Sequence, residues 1–267
     1  MKFSFLHTKE ETKYFKYFIQ KGLDVNVEHL DHGLSVCHEL LIKEMNYRLP
    51  FKFSLIFTKT KKDYQSTVEK IYCMGENRRQ EFLKDCFYLD HKRFVFHLGN
   101  KTVGKKLLFF DGGGGLFHEY IHSIQFNYSG GSLCHWIVEG MAGYLAAKAY
   151  AKLLSKPSFL TTFIKGCEMA VVKSNLKPFS LAKLDFMTFR EWSLNLKHGR
   201  GGFQYAQVYH VFWFGLKKIK FSMKQMMEFL KSFPENDDDY NIKFKRVFKI
   251  SSKQFDTKYQ NYITSKR

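Results

Sequence analysis

The segment His118-Glu119-Tyr120-Ile121-His122 constrains this chain more than any other five residues. Two histidines four positions apart stand about 40° apart around a helix axis, so on a helix both imidazoles point the same way. Two such nitrogens can share one tetrahedral metal ion. Glu119 follows the first histidine and projects beside that point rather than into it, within reach of a proton on a metal-activated water. At this chain's His and Glu frequencies the pattern arises by chance in roughly one chain in fifty of this length. A near copy, His38-Glu39-Leu40-Leu41-Ile42, fails at its last position. The surroundings of the motif therefore carry the argument.

A metal site of this kind needs a third protein ligand and an open fourth position. Seventeen positions after His122, Glu139 stands in the run Trp136-Ile137-Val138-Glu139-Gly140-Met141-Ala142-Gly143-Tyr144-Leu145. A carboxylate in so apolar a helix is expensive to bury alone and is compensated as a metal ligand. Gly140, Ala142, Gly143, Ala146 and Ala147 are small enough to let two helices approach closely. The other common arrangement needs a glycine and a third histidine at positions held here by Gln125 and Tyr128, and so fails. His135 falls on a different helical face from Glu139 and reads as a capping or surface histidine.

Patterning around these residues gives an α+β layout, strands first and helices later. Strands are expected over residues 3–6, 51–57, 93–98 and 106–110, with Gly99-Asn100 as a hairpin turn between the last two. Helices are expected over 9–21, 27–47, 61–72, 116–126, 133–154, 159–172, 203–218, 222–233 and 252–265, with Ser132 as an N-cap. A boundary near residue 128 divides a mixed lobe, 1–128, from a helical lobe, 129–267, with a cleft between them. Asp111-Gly112-Gly113-Gly114-Gly115 lacks the Gly-Lys-Ser/Thr ending of a phosphate loop. It reads instead as a rim of that cleft, after an edge strand able to pair with extended peptide.

Composition excludes several classes. With 45% hydrophobic residues the 267-residue chain can bury a sizeable core. Five scattered cysteines without a CxxC pair argue against a disulfide scaffold and fit a reducing compartment. No run approaches the length of a membrane helix, and the N-terminal apolar stretch is too short for a signal peptide. The expectation is a cytoplasmic protein; export without a cleaved signal leaves no trace in such a reading. The net charge of +18 is spread along the whole chain and reads as a solvated surface. Its alternative is a basic binding protein for nucleic acid or an anionic surface.

His118-Glu119-x-x-His122 followed by Trp136-x-x-Glu139-Gly140-x-Ala142-x-Tyr144-Leu145 resembles the peptidase MA-like gluzincins. The likeness extends to residues 51–57 and 60–72 and to Tyr205-Ala206-Gln207-x-Tyr209-x-x-x-Trp213. It implies a zincin-like mixed lobe, a Zn2+ ion held by His118, His122 and Glu139, and Glu119 as general base. The reaction it implies is hydrolysis of a peptide or protein substrate, and the net charge of +18 would attract acidic ones. Gluzincins commonly aim a Tyr or His donor at the developing oxyanion, and Tyr205, then Tyr209, with His210 beside them, are the candidates. Gly143 departs from the family, which often has an acidic residue there to support a histidine.

Overall fold

The computed structural model describes residues 6–71, 87–89, 92–97, 115–129, 134–187, 191, 201–231 and 237–267. The fold is α+β with a mainly helical C-terminal part. Among the described residues five strands, β1 Leu6–Glu11, β2 Phe15–Gln20, β3 Phe53–Thr58, β4 Phe87–Leu89 and β5 Arg93–His97, form one sheet in the order β1-β2-β3-β5-β4. The three middle strands are parallel and each outer strand is antiparallel to its neighbour.

β1 and β2 replace the helix expected over residues 9–21. Phe15, Tyr17 and Ile19 are buried while Lys16, Phe18 and Gln20 are only half-buried. That period of two, in residues that suit a pleated surface, overrides the local charges that mimic a helix. The stretch 106–110, the Gly99-Asn100 turn and Ser132 lie outside the described residues.

Helix α1, Val27–Met45, crosses from β2 to β3 and starts on Asn26, whose side chain accepts from the His29 N–H. Its Leu30, Leu34, Cys37 and Leu41 join Phe15, Tyr17, Phe53 and Leu55 in the main core. α2, Lys61–Ile71, covers the opposite sheet face, where Tyr64 and Val68 pack on Ile56 and Val95.

The remaining helices are α3 Leu116–Ser129, α4 His135–Leu153, α5 Ser158–Val172, α6 Leu181–Asp185, α7 Gly201–Phe214, α8 Met223–Lys231, α9 Asp237–Phe248 and α10 Ser252–Thr264. A π turn, Gly215–Ile219, ends α7. Neither α6 nor α9 was expected from patterning. α4 has apolar residues on every side because it is the central helix, packed on α1, α3, α5 and α7. Trp136 anchors its first turn among Phe244, Phe248 and Phe255, with ring centroids 6.3, 6.0 and 5.6 Å away. Among the described residues no helix is long and apolar enough to cross a membrane.

The first residue before α4 is Cys134, which makes no side-chain cap. The cap comes from α6. The Asp185 carboxylate accepts from the Trp136 backbone N–H, from the Cys134 thiol at 3.3 Å and from the Tyr240 hydroxyl. A carboxylate is favoured at a helix N-terminus, yet burial pushes Asp185 up to about 7 despite these bonds. Its folded pKa therefore lies above the unfolded value, so stability from this group is full at low pH and is lost as pH rises toward and through 7. Asp185→Asn keeps an acceptor and removes the titration. Thermal melts at pH 5 and pH 8 should show the native protein losing stability across that window relative to the variant. Parallel melting curves for the two proteins would assign the pH dependence elsewhere.

Candidate metal centre

α3 starts where Gly115, at φ 144°, turns the backbone into the helix and its carbonyl accepts from the Glu119 N–H at 3.0 Å. A side chain at that φ is strongly disfavoured, so the last glycine of the run has a structural reason. One turn on, the four-residue spacing brings both imidazoles to the side facing α4. His118 Nε2 and His122 Nε2 are 2.9 Å apart, and their rings are nearly perpendicular at 87°.

Glu139 enters from α4. Its Oε2 lies 3.1 Å from His118 Nε2 and 3.5 Å from His122 Nε2. Both histidines are buried, and the Glu139 side chain keeps 16% exposure. The three atoms thus form a triangle with edges of 2.9, 3.1 and 3.5 Å. Tetrahedral N/O ligands at about 2.0–2.1 Å from an ion are about 3.3 Å apart, so the triangle is the right size for one small cation. Among the described residues this is the group of histidines and acids able to hold a metal ion.

Electrostatics agree with the geometry. Burial alone would raise the Glu139 pKa, but the charge on His122 and hydrogen bonds from His118 and His122 hold it well below the usual carboxylate range. Burial pulls His122 down, and the Glu139 charge and hydrogen bond, the Glu119 charge and Gln125 together bring it up to about 9. Without metal the cluster therefore attracts a proton to the place a cation would take.

Glu119 is half-buried and outside the ligand triangle. Tyr209, on α7, is buried with its ring 6.2 Å from that of His118, and the charges of Glu139 and Glu119 both act on its phenol. Tyr205 is only partly buried, and its ring lies tilted against that of Tyr209 with centroids 5.8 Å apart. His210 faces away, 3.2 Å from the Tyr259 hydroxyl and stacked on Trp213. His135 is buried, not superficial, and its Nε2 meets the Met187 carbonyl at 3.0 Å.

Gly143 has a steric reason. A Cβ there would lie 2.4 Å from two carbons of the Tyr209 ring. The tyrosine occupies the space an acidic side chain would need. Gly143→Ala should cost about 1–3 kcal/mol of stability by overpacking and displace Tyr209. Denaturant unfolding beside tyrosine fluorescence checks it; an unchanged midpoint would mean the ring moves aside freely.

Two further residues serve the centre without being singled out by patterning. Gln125 lies 2.8 Å from His122 Nδ1 and donates to the Val138 carbonyl at 2.9 Å. Its only signal was a polar residue one turn after His122 in an apolar stretch. His38, from the failed copy of the motif, sits behind α3. Its Nδ1 is hydrogen-bonded to the Tyr120 hydroxyl at 2.5 Å, and Tyr120 packs edge-on against Phe15 and Phe53. Burial and the Arg48 charge hold His38 down at about 4, so it braces the helix as a neutral ring. The chain matches no known protein family, and no curated protein matches it either.

Proposed function

We propose that the chain is a zinc-dependent peptidase of the gluzincin type, hydrolysing peptide or protein substrates. The observation that carries this reading is the triangle of His118, His122 and Glu139, sized for one tetrahedral ion, with Glu119 next to its first corner. Two neutral imidazoles and one carboxylate with an open fourth position are a donor set of catalytic zinc. When bound, zinc supplies a Lewis acid that polarises the scissile carbonyl and lowers the pKa of a coordinated water.

The chain's own residues do the rest. Glu119 takes a proton from the attacking water and delivers it to the amine nitrogen as the C–N bond breaks. Tyr209 donates its O–H to the oxygen on which negative charge develops. Burial and the surrounding charges, Glu139 foremost, raise its pKa well above that of a free phenol, so it remains a donor at any working pH. The net charge of +18 favours acidic substrates.

Native protein should hold about one zinc per chain at neutral pH and lose it on acidification, because the ligands must be deprotonated to bind. A peptide-library digest read by mass spectrometry should then show cleavage that a chelator stops and added zinc restores. Protein that takes up no metal from excess zinc would sink the reading. The same charge supports a second reading, a basic binding protein that does not hydrolyse; sub-micromolar DNA binding that persists at physiological salt without zinc would favour it.

A further inference from the structure

One side chain outside the ligand set joins the two ligand helices. Gln125 is fully buried. Its Nε2 donates to the carbonyl of Val138, the residue before Glu139, and its Oε1 lies against His122 Nδ1. The directions of these bonds follow from the groups themselves. A backbone carbonyl can only accept, so the amide nitrogen must face Val138 and the amide oxygen must face the imidazole. That oxygen can only accept, so His122 Nδ1 carries the hydrogen. In the neutral ring this leaves the lone pair on Nε2, the atom 2.9 Å from His118 Nε2 and 3.5 Å from Glu139 Oε2.

We infer that Gln125 is the positioning residue of the metal centre: it sets the tautomer and ring orientation of His122 and docks α3 on the turn of α4 that presents Glu139. The purpose of this arrangement rests on the zinc reading; the hydrogen-bond chain itself does not. Its asymmetry supports the assignment. His118 Nδ1 is buried without a hydrogen-bond partner among the described residues, so His118 is placed by packing, while His122 is placed by a directed polar contact. A buried glutamine serving only the core would need its partners satisfied. It would have no reason to spend its acceptor on the far nitrogen of a ligand histidine while its donor reaches the neighbour of another ligand.

The test uses full-length protein with 15N-labelled histidine and two variants. Gln125→Met keeps the volume and removes both bonds. Gln125→Glu keeps an acceptor toward Nδ1 and removes the donor to Val138. In zinc-free native protein at pH 10, where the His122 ring is neutral, NMR should find its hydrogen on Nδ1 and protected from solvent exchange. Gln125→Met should lose that protection and bind zinc about 10- to 100-fold more weakly in chelator competition, as expected when a ligand histidine loses its outer partner. Gln125→Glu should keep the Nδ1 hydrogen and lie between the two in affinity. A native His122 whose neutral ring carries its hydrogen on Nε2 overturns the inference, as does Gln125→Met binding zinc within twofold of native. If Gln125→Met does not fold, the native tautomer and Gln125→Glu decide. If native protein takes up no zinc, the peptidase reading fails, and the NMR result still decides the role of Gln125.

Discussion

Glu119→Gln should retain its zinc and its melting temperature while peptide hydrolysis falls by about 10²–10⁴-fold, the usual contribution of a positioned general base. Glu119 stands one residue after a ligand on the same helix but outside the ligand triangle, and it is half-buried. Glutamine keeps its length and hydrogen-bonding reach and cannot accept and return a proton at neutral pH. Metal content and initial rates on a peptide cleaved by the native protein, measured side by side, separate binding from chemistry. A variant that cleaves as fast as native would overturn the mechanism, whatever the zinc content.

His122→Ala should lose the metal and, with it, the stability that metal confers. An ion bound only by the folded state at about 100 times its dissociation constant adds about 2.7 kcal/mol. Native protein should therefore melt higher with zinc than with chelator, and His122→Ala should melt the same in both. The variant also leaves Glu139 paired with His118 after losing His122, the larger of the two favourable charge interactions. A buried carboxylate so weakened costs stability even without metal. Glu139→Gln, which keeps an oxygen ligand, should weaken the metal without abolishing it. A zinc-induced rise in His122→Ala equal to the native rise would remove His122 from the ligand set.

The convergence of His118, His122 and Glu139 was legible because its signals are one-dimensional. Four-residue spacing on a helix fixes a shared face, and an acid in a largely apolar helix marks a compensated charge. What depends on helix rotation was not. Tyr205 and Tyr209 share a stripe at i, i+4, but which of them meets His118 is set by how α7 lies on α4. That depends on Gly140 and Gly143, where a Cβ would strike Phe212, the Val208 carbonyl or Tyr209. The β1–β2 hairpin was misread because Lys9, Glu10, Glu11, Lys13 and Lys16 look like a solvated helix face. The alternation that decides the matter needs a sheet partner, and β3 lies more than thirty residues on. His38 was set aside as a failed motif, and its role behind Tyr120 is a long-range contact across 82 positions.

The burial of Trp136 places part of the metal centre's support at the far end of the chain. α4 carries Glu139 one turn after Trp136, and Trp136 is gripped by Phe244 and Phe248 of α9 and Phe255 of α10. Loosening those rings frees the first turn of α4 and with it the direction of a ligand. On the zinc reading, metal affinity becomes a gauge of packing in the last thirty residues, and a substitution at Phe255 should be felt at the ion before it is felt in the overall melt.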